Sequence, residues 1–169
     1  IGPWDSPTTL IVGDSVTNLS RIEIEETTGA KIDADNGYTW AEMVPQVRGS
    51  LTVMKAAEGT PERVRVLLGY NDVLNNRQDL DATRTGLGEF ADVPCVVVLE
   101  LPELFYRCGA PDHDEVQTIV DKLPNTHTDD GWARVINADL DRTEQQLLEA
   151  DLVHPRNHWA RQALADSYQ

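Results

Sequence analysis

Two periodicities alternate along this chain. Short β-branched and apolar runs predict strands at 8–12, 30–34, 63–68 and 95–99, with a weaker candidate at 134–138. Between them, apolar positions recurring every three or four residues predict helices at 16–28, 39–57, 79–91, 114–122 and 157–167. Several boundaries carry their own signals: Gly29 and Gly59 follow helical runs as stop residues, and Asp79 and Asp114 place a carboxylate where a helix begins. Pro45 falls inside the second helix, where it lacks the N–H a helix needs, so a kink or a split is expected there. Regular alternation of strand and helix implies a parallel sheet covered by helices on both faces. In sheets of that kind ligands bind beyond the carboxyl ends of the strands.

Three segments place reactive side chains at such positions. The first strand runs into Gly13-Asp14-Ser15, so Ser15 stands where a strand turns into a helix. The first N–H groups of a helix have no intrahelical partner and would stabilise an oxyanion formed beside the serine; a simple helix cap is the plainer role for such a residue. The third strand runs into Gly69-Tyr70-Asn71-Asp72, where Asn71 offers a side-chain N–H donor, although a Gly-Asn-Asp turn alone would read the same way. Near the end, Asp151-Leu152-Val153-His154-Pro155 sets a carboxylate three residues before an imidazole, with Pro155 preventing smooth continuation as helix. An Asp accepting from Nδ1 of His fixes the tautomer that leaves Nε2 free to take a proton from a serine hydroxyl. Nucleophile, orienting carboxylate and base thus occur in the order Ser15, Asp151, His154.

These segments resemble the conserved blocks of the SGNH (GDSL-type) hydrolase family: Gly13-Asp14-Ser15 the first, Gly69-Tyr70-Asn71-Asp72 the third, and Asp151 to Pro155 the fifth. The resemblance implies a flavodoxin-like, three-layer α/β/α sandwich with a mostly parallel sheet of about five strands. It implies Ser15 as nucleophile, His154 as base and Asp151 as its partner. The oxyanion would be held by the Ser15 N–H, the Asn71 side chain and a glycine after the second strand, for which Gly37 is the best match. Two departures are Val16 in place of the name-giving leucine and Leu152 where glycine is frequent; neither removes a reacting group. The activity implied is hydrolysis of a small acyl ester through an acyl-enzyme, an O-acetylated carbohydrate among the candidates, with no cofactor or metal. The alternatives are an O-acyltransferase in which a sugar hydroxyl replaces water, and a binding module that keeps the fold without the chemistry.

Composition narrows the partners. The 169 residues, 40% of them hydrophobic, suit one domain with one core. Fourteen basic against 29 acidic residues give a formal net charge of −15, which disfavours nucleic acid and anionic membrane surfaces. No stretch reaches the roughly 20 apolar residues that span a bilayer. The chain starts at Ile1 rather than Met, as expected of a mature product or a domain excised from a longer protein, and a secreted or extracytoplasmic setting is favoured. A bridge between the two cysteines, Cys95 and Cys108, would fit an oxidising compartment; an unpaired, buried Cys95 is the alternative.

Other motifs carry less. Gly13-Asp14-Ser15-Val16-Thr17 lacks the second glycine of an α/β-hydrolase elbow. Gly86-Leu87-Gly88-Glu89-Phe90-Ala91 fits a dinucleotide fingerprint but lies inside a predicted helix. His154 and His158 have helical spacing without the glutamate of a zinc protease, and the acidic runs, Asp139-Leu140-Asp141 among them, lack a calcium-loop signature. For substrate contacts, Tyr70, Tyr38 and Arg156 are the candidates, with Asn75, Trp40, Phe105, Tyr106 and Arg107 also near the expected rim; Trp40 and Phe105 would serve equally as core.

Overall fold

The central strands are buried almost without a break, and because successive side chains point to opposite faces they divide the interior into two layers. The structure, a computed structural model, describes residues 8–75, 79–107, 113–141, 147–151 and 153–169. Its elements in chain order are β1 (Thr9–Gly13), α1 (Ser15–Leu19), α2 (Arg21–Thr28), β2 (Lys31–Ala34), α3 (Trp40–Glu58), β3 (Arg63–Leu67), α4 (Tyr70–Leu74), α5 (Leu80–Gly88), β4 (Cys95–Leu99), α6 (Glu103–Arg107), α7 (His113–Val120), β5 (Thr126–Asp129), α8 (Gly131–Leu140) and α9 (His158–Ser167). The strands form one parallel sheet in the order β2-β1-β3-β4-β5. Leu10, Val12, Val64, Val66, Val96 and Val98 face α3, α5 and α7 through Met43, Val47, Leu51, Leu87 and Ile119. Ile11, Leu67 and Leu99 face the other way, against Ile24 of α2, Trp132 and Ile136 of α8, and Leu164 and Tyr168 of α9. The three-layer α/β/α sandwich follows from burying both faces of a parallel sheet.

Register sets where the rim lies. Gly13 pairs with Ala34 of β2 and with Leu67 of β3, so three strands end level and their following loops emerge side by side. The order reverses direction at β1 and β3, since β2 lies on one side and β4 on the other, and that junction is where such sheets open a crevice.

The structure differs from the sequence expectation in four places. The fifth strand is Thr126–Asp129, and the weaker candidate at 134–138 belongs to α8. Trp132, Ala133, Ile136 and Asp139 are buried at helical spacing, whereas β5, at a sheet edge, needs few apolar residues. The helix expected at 16–28 is two helices, parted at buried Ser20, whose hydroxyl donates to the Val16 carbonyl at 3.0 Å. Pro45 does not divide α3, which runs from Trp40 to Glu58 with its start set by a Thr39–Glu42 capping box. Two short helices, α4 and α6, are additional.

Gly86 lies in α5 where a Cβ would come within 2.8 Å of the Trp40 ring, which accounts for the glycine as a packing device. Cys95 opens β4 and is half-buried; Cys108, and with it the choice between a bridge and an unpaired Cys95, lies outside the described residues. Among the described residues no helix is long and apolar enough to cross a membrane.

Gly13 is where the close approach of α1 is decided. A Cβ there would meet Thr17 Oγ1 at 2.1 Å and Thr17 Cβ at 2.4 Å, and Thr17 is itself held by a 2.9 Å hydrogen bond between its hydroxyl and that of Tyr168. Gly13→Ala must therefore displace backbone, at about 1–3 kcal/mol by the usual cost of overpacking. Thermal unfolding should show Tm lowered by roughly 2–12 °C, at about 2–4 °C per kcal/mol for this chain length. An unchanged Tm would contradict the packing.

Candidate active site

Asp14 closes β1 and opens α1: its carboxylate caps the helix by accepting the Val16 N–H at 3.1 Å. Ser15 is consequently the first residue of α1, and its own N–H has no intrahelical acceptor. Its hydroxyl lies 2.8 Å from Nε2 of His154, across 139 positions of sequence. On the other side of the ring, Nδ1 of His154 lies 2.5 Å from Oδ2 of Asp151. With Nδ1–H donating to the carboxylate, Nε2 is left to accept the Ser15 hydroxyl. Asp151 also accepts, through Oδ1, the backbone N–H groups of Val153 at 2.9 Å and His154 at 3.1 Å. Partial burial opposes ionisation of Asp151, but the hydrogen bonds from the His154 ring and from these two N–H groups outweigh it and hold the carboxyl below its ordinary range. Ser15 is 8% exposed, whereas the His154 and Asp151 side chains are 32% and 49% exposed.

The pair rides on a tight strap. Arg156 N–H donates to the Leu147 carbonyl and Glu149 N–H to the His154 carbonyl, both at 2.8 Å, around an antiparallel bridge between Leu148 and Pro155. Leu148 and Val153 are buried in the same core cluster as Trp132 and Leu164.

The neighbouring loops meet through Asn71. In the first turn of α4, its side-chain N–H donates to the Tyr38 carbonyl at 3.0 Å and reaches toward Asp14 Oδ2 at 3.5 Å. The β2–α3 loop is thereby drawn toward the turn after β3, and Gly37, adjacent to Tyr38, adopts φ +80°, a conformation suited to glycine. Gly69 does the same before α4, at φ +120°.

The proposed substrate contacts divide. Tyr38 is half-buried against the core on the α3 side, and Arg156 and Asn75 are exposed. Tyr70 is 1% exposed: its hydroxyl accepts from Trp132 Nε1 at 2.8 Å and its ring stands edge-on to Phe105 with centroids 4.7 Å apart. It is a core residue and not a rim contact, because the first turn of α4 directs it against α6 and α8. Trp40 and Phe105 are core as well. His158 leaves the site, pairing through Nδ1 with Glu23 Oε1 at 3.2 Å.

Two acids missed as participants lie beneath the rim. Asp72 is buried and its carboxylate receives the Trp40 N–H at the start of α3, at 3.2 and 3.3 Å to its two oxygens. Burial pushes Asp72 up to about 6, with the Glu42 and Asp79 charges adding and the Trp40 N–H and its own N–H opposing. Burial likewise pushes Asp14 up to about 7, opposed by the Val16 N–H and reinforced by Asp72. The sequence signal was their place inside the strand-end motifs, where a buried acid can tie loops together.

The fold is that of the SGNH (GDSL-type) hydrolases. The C-terminal catalytic domain of peptidoglycan O-acetyltransferase A from Streptococcus pneumoniae, solved with a methylsulfonyl adduct, superposes with a TM-score of 0.65 at 15% identity, over 96% of this chain and 90% of that one. A lipolytic G-D-S-L protein from Veillonella parvula gives 0.67 at 14% identity, over 95% and 94%. A family 3 carbohydrate esterase from Talaromyces cellulolyticus gives 0.61 at 15% identity, over 95% and 94%. No family model matches the sequence, and no curated protein does.

Asp14 and Asp72 make stability depend on pH with a definite sign. Each holds its proton in the folded state above the ordinary carboxylate value of 3.8, so each favours folding most below that value and loses the contribution as pH rises toward about 6 and 7. Asp14→Asn, which keeps a capping oxygen, should therefore flatten the decline between pH 4 and 7. Urea midpoints of both proteins across that range provide the check; a variant whose decline is as steep as the wild type's would contradict burial as the cause.

Proposed function

We propose that this protein is a serine-dependent carboxylic-ester hydrolase that works through an acyl-enzyme. The observation that carries the reading is the continuous chain from Ser15 Oγ to His154 Nε2, at 2.8 Å, and from His154 Nδ1 to Asp151 Oδ2, at 2.5 Å. Ser15 attacks the ester carbonyl while His154 takes its proton, and the depressed Asp151 carboxyl remains ionised to stabilise the imidazolium. The Ser15 N–H, the Gly37 N–H and the Asn71 side chain hold the developing oxyanion. Collapse breaks the bond to the alcohol, which leaves with the proton from His154. Water, activated by the same imidazole, then attacks the acyl-Ser15 carbonyl and releases the acid.

A small acyl ester, with O-acetylated carbohydrate as the favoured class, suits the reading: among proteins of similar fold are a carbohydrate esterase and a catalytic domain of a peptidoglycan O-acetyltransferase. The second of these also favours a sugar hydroxyl as an alternative acceptor to water, by the same acyl-enzyme. Acetate release from an acetylated sugar, measured with and without added acceptor, separates the two. Release without acceptor is expected for the hydrolase; acetylated acceptor without bulk acetate would assign transfer.

Ser15→Ala and His154→Ala should each lower kcat on a short-chain aryl ester by about 10⁴–10⁶-fold, and Asp151→Asn by about 10⁴-fold, by analogy with serine proteases. Turnover that survives Ser15→Ala would overturn the mechanism, and a wild type without turnover on aryl or sugar esters would favour a binding module.

A further inference from the structure

Asp151 and His154 are held to each other by contacts within their own segment. The ring bond and both N–H bonds to Asp151 lie between residues 151 and 154, so the pair is locally self-contained. What this cannot supply is aim: the ring must be delivered to a serine at the far end of the chain, and that depends on what fixes the strap to the body of the protein. The apolar anchors, Leu148 and Val153, fix depth in the core but are not directional.

A directional tie exists at Leu147. Its carbonyl receives the Arg156 N–H at 2.8 Å, which closes the strap just beyond His154. Its N–H donates to Oδ2 of Asp139 at 2.9 Å. Asp139 stands in the last turn of α8 and is 1% exposed. An acid at that position opposes the helix dipole and loses its hydration. Burial there requires hydrogen-bond partners, and one of them is the strap's first N–H. Asp139 shares the buried face of α8 with Trp132 and Ile136, which lock that face into the same core cluster as Leu148 and Val153.

We propose that Asp139 is a positioning residue for catalysis: by holding the Leu147 N–H it fixes the strap on α8 and so aims His154 Nε2 at Ser15. The assignment rests on Ser15, His154 and Asp151 acting as described under the proposed function. The role needs an oxygen acceptor at position 139 and not a negative charge, because the group it holds is a neutral amide. It acts on the distance between His154 and Ser15 while leaving the Asp151–His154 unit intact.

The test compares Asp139→Ala and Asp139→Asn on a soluble short-chain aryl ester, with Ser15→Ala as the reference and amide hydrogen exchange of the 147–156 strap measured in parallel. Asp139→Ala should lower kcat on the order of 10²-fold, as displacement of a catalytic group by about 1 Å does. KM should change little, and the acid limb of the pH–rate profile should stay in place because Asp151 still supports His154. Strap exchange should accelerate. Asp139→Asn, which keeps a carbonyl acceptor, should recover most of kcat. If Asp139→Ala does not fold, Leu147→Pro removes the donor from the strap side and takes its place. A folded Asp139→Ala or Leu147→Pro with wild-type kcat, or an Asp139→Asn as impaired as Asp139→Ala, would overturn the proposal. A wild type lacking Ser15-dependent turnover would instead overturn the functional reading beneath it, whatever the exchange data show for the tie.

Discussion

Parallel pairing of β1 with both β2 and β3, ending level at Gly13, is the constraint on which the rest depends. It brings three loops out of the sheet together, and those loops carry Ser15, Gly37 and Asn71. The absence of a side chain at Gly13 lets α1 fold back at once over the strand end, with Thr17 in the space a Cβ would occupy. Ser15 is thereby left at the first position of a helix only five residues long. Little macrodipole is available from so short a helix, so local N–H groups are the relevant electrostatic resource. The half-exposed His154 ring, through Nε2, and the buried Ser15 hydroxyl then meet at the boundary between rim and solvent.

Two kinds of electrostatics operate within a few residues of one another. Below the rim, Asp14 and Asp72 are buried and pushed up, and their oxygens cap helices and hold loops. At the rim, Asp151 is half-exposed and surrounded by donors, and is held down. The difference in environment separates acids that organise the loops from the acid that keeps imidazole in one tautomer. Asp139 belongs with the first kind by burial, yet its contact reaches the strap that carries the second.

Much of this was legible in the residues. Apolar runs located four strands nearly to their ends, because buried parallel strands have few other ways to read, and the strand-end glycines marked the turns. The edge strand β5 was not legible: of Thr126-His127-Thr128-Asp129 only Thr126 is fully buried, so at the sheet edge the strand carries polar side chains without an apolar run. Arg134 to Ala138 misled because a helix with Trp132, Ile136 and Asp139 on its inner face presents a short β-branched run in the middle. Tyr70 looked available for substrate because it lies inside a motif; only the packing of Trp132 and Phe105 around it reveals that it is core. The Asp151 to Pro155 block marked His154 as the partner of Ser15, but how the ring reaches the serine was not legible, since that arises from a strap whose anchors lie on α8 and in the core.

The account stands most directly on Ser15 as the atom that becomes acylated. Brief exposure of the protein to a fluorophosphonate, followed by peptide mass spectrometry, reads this without reference to any natural substrate. The account predicts one adduct per chain, on Ser15, formed far more slowly when His154 is replaced by alanine. An adduct on another residue, or labelling of Ser15 that does not depend on His154, would contradict it.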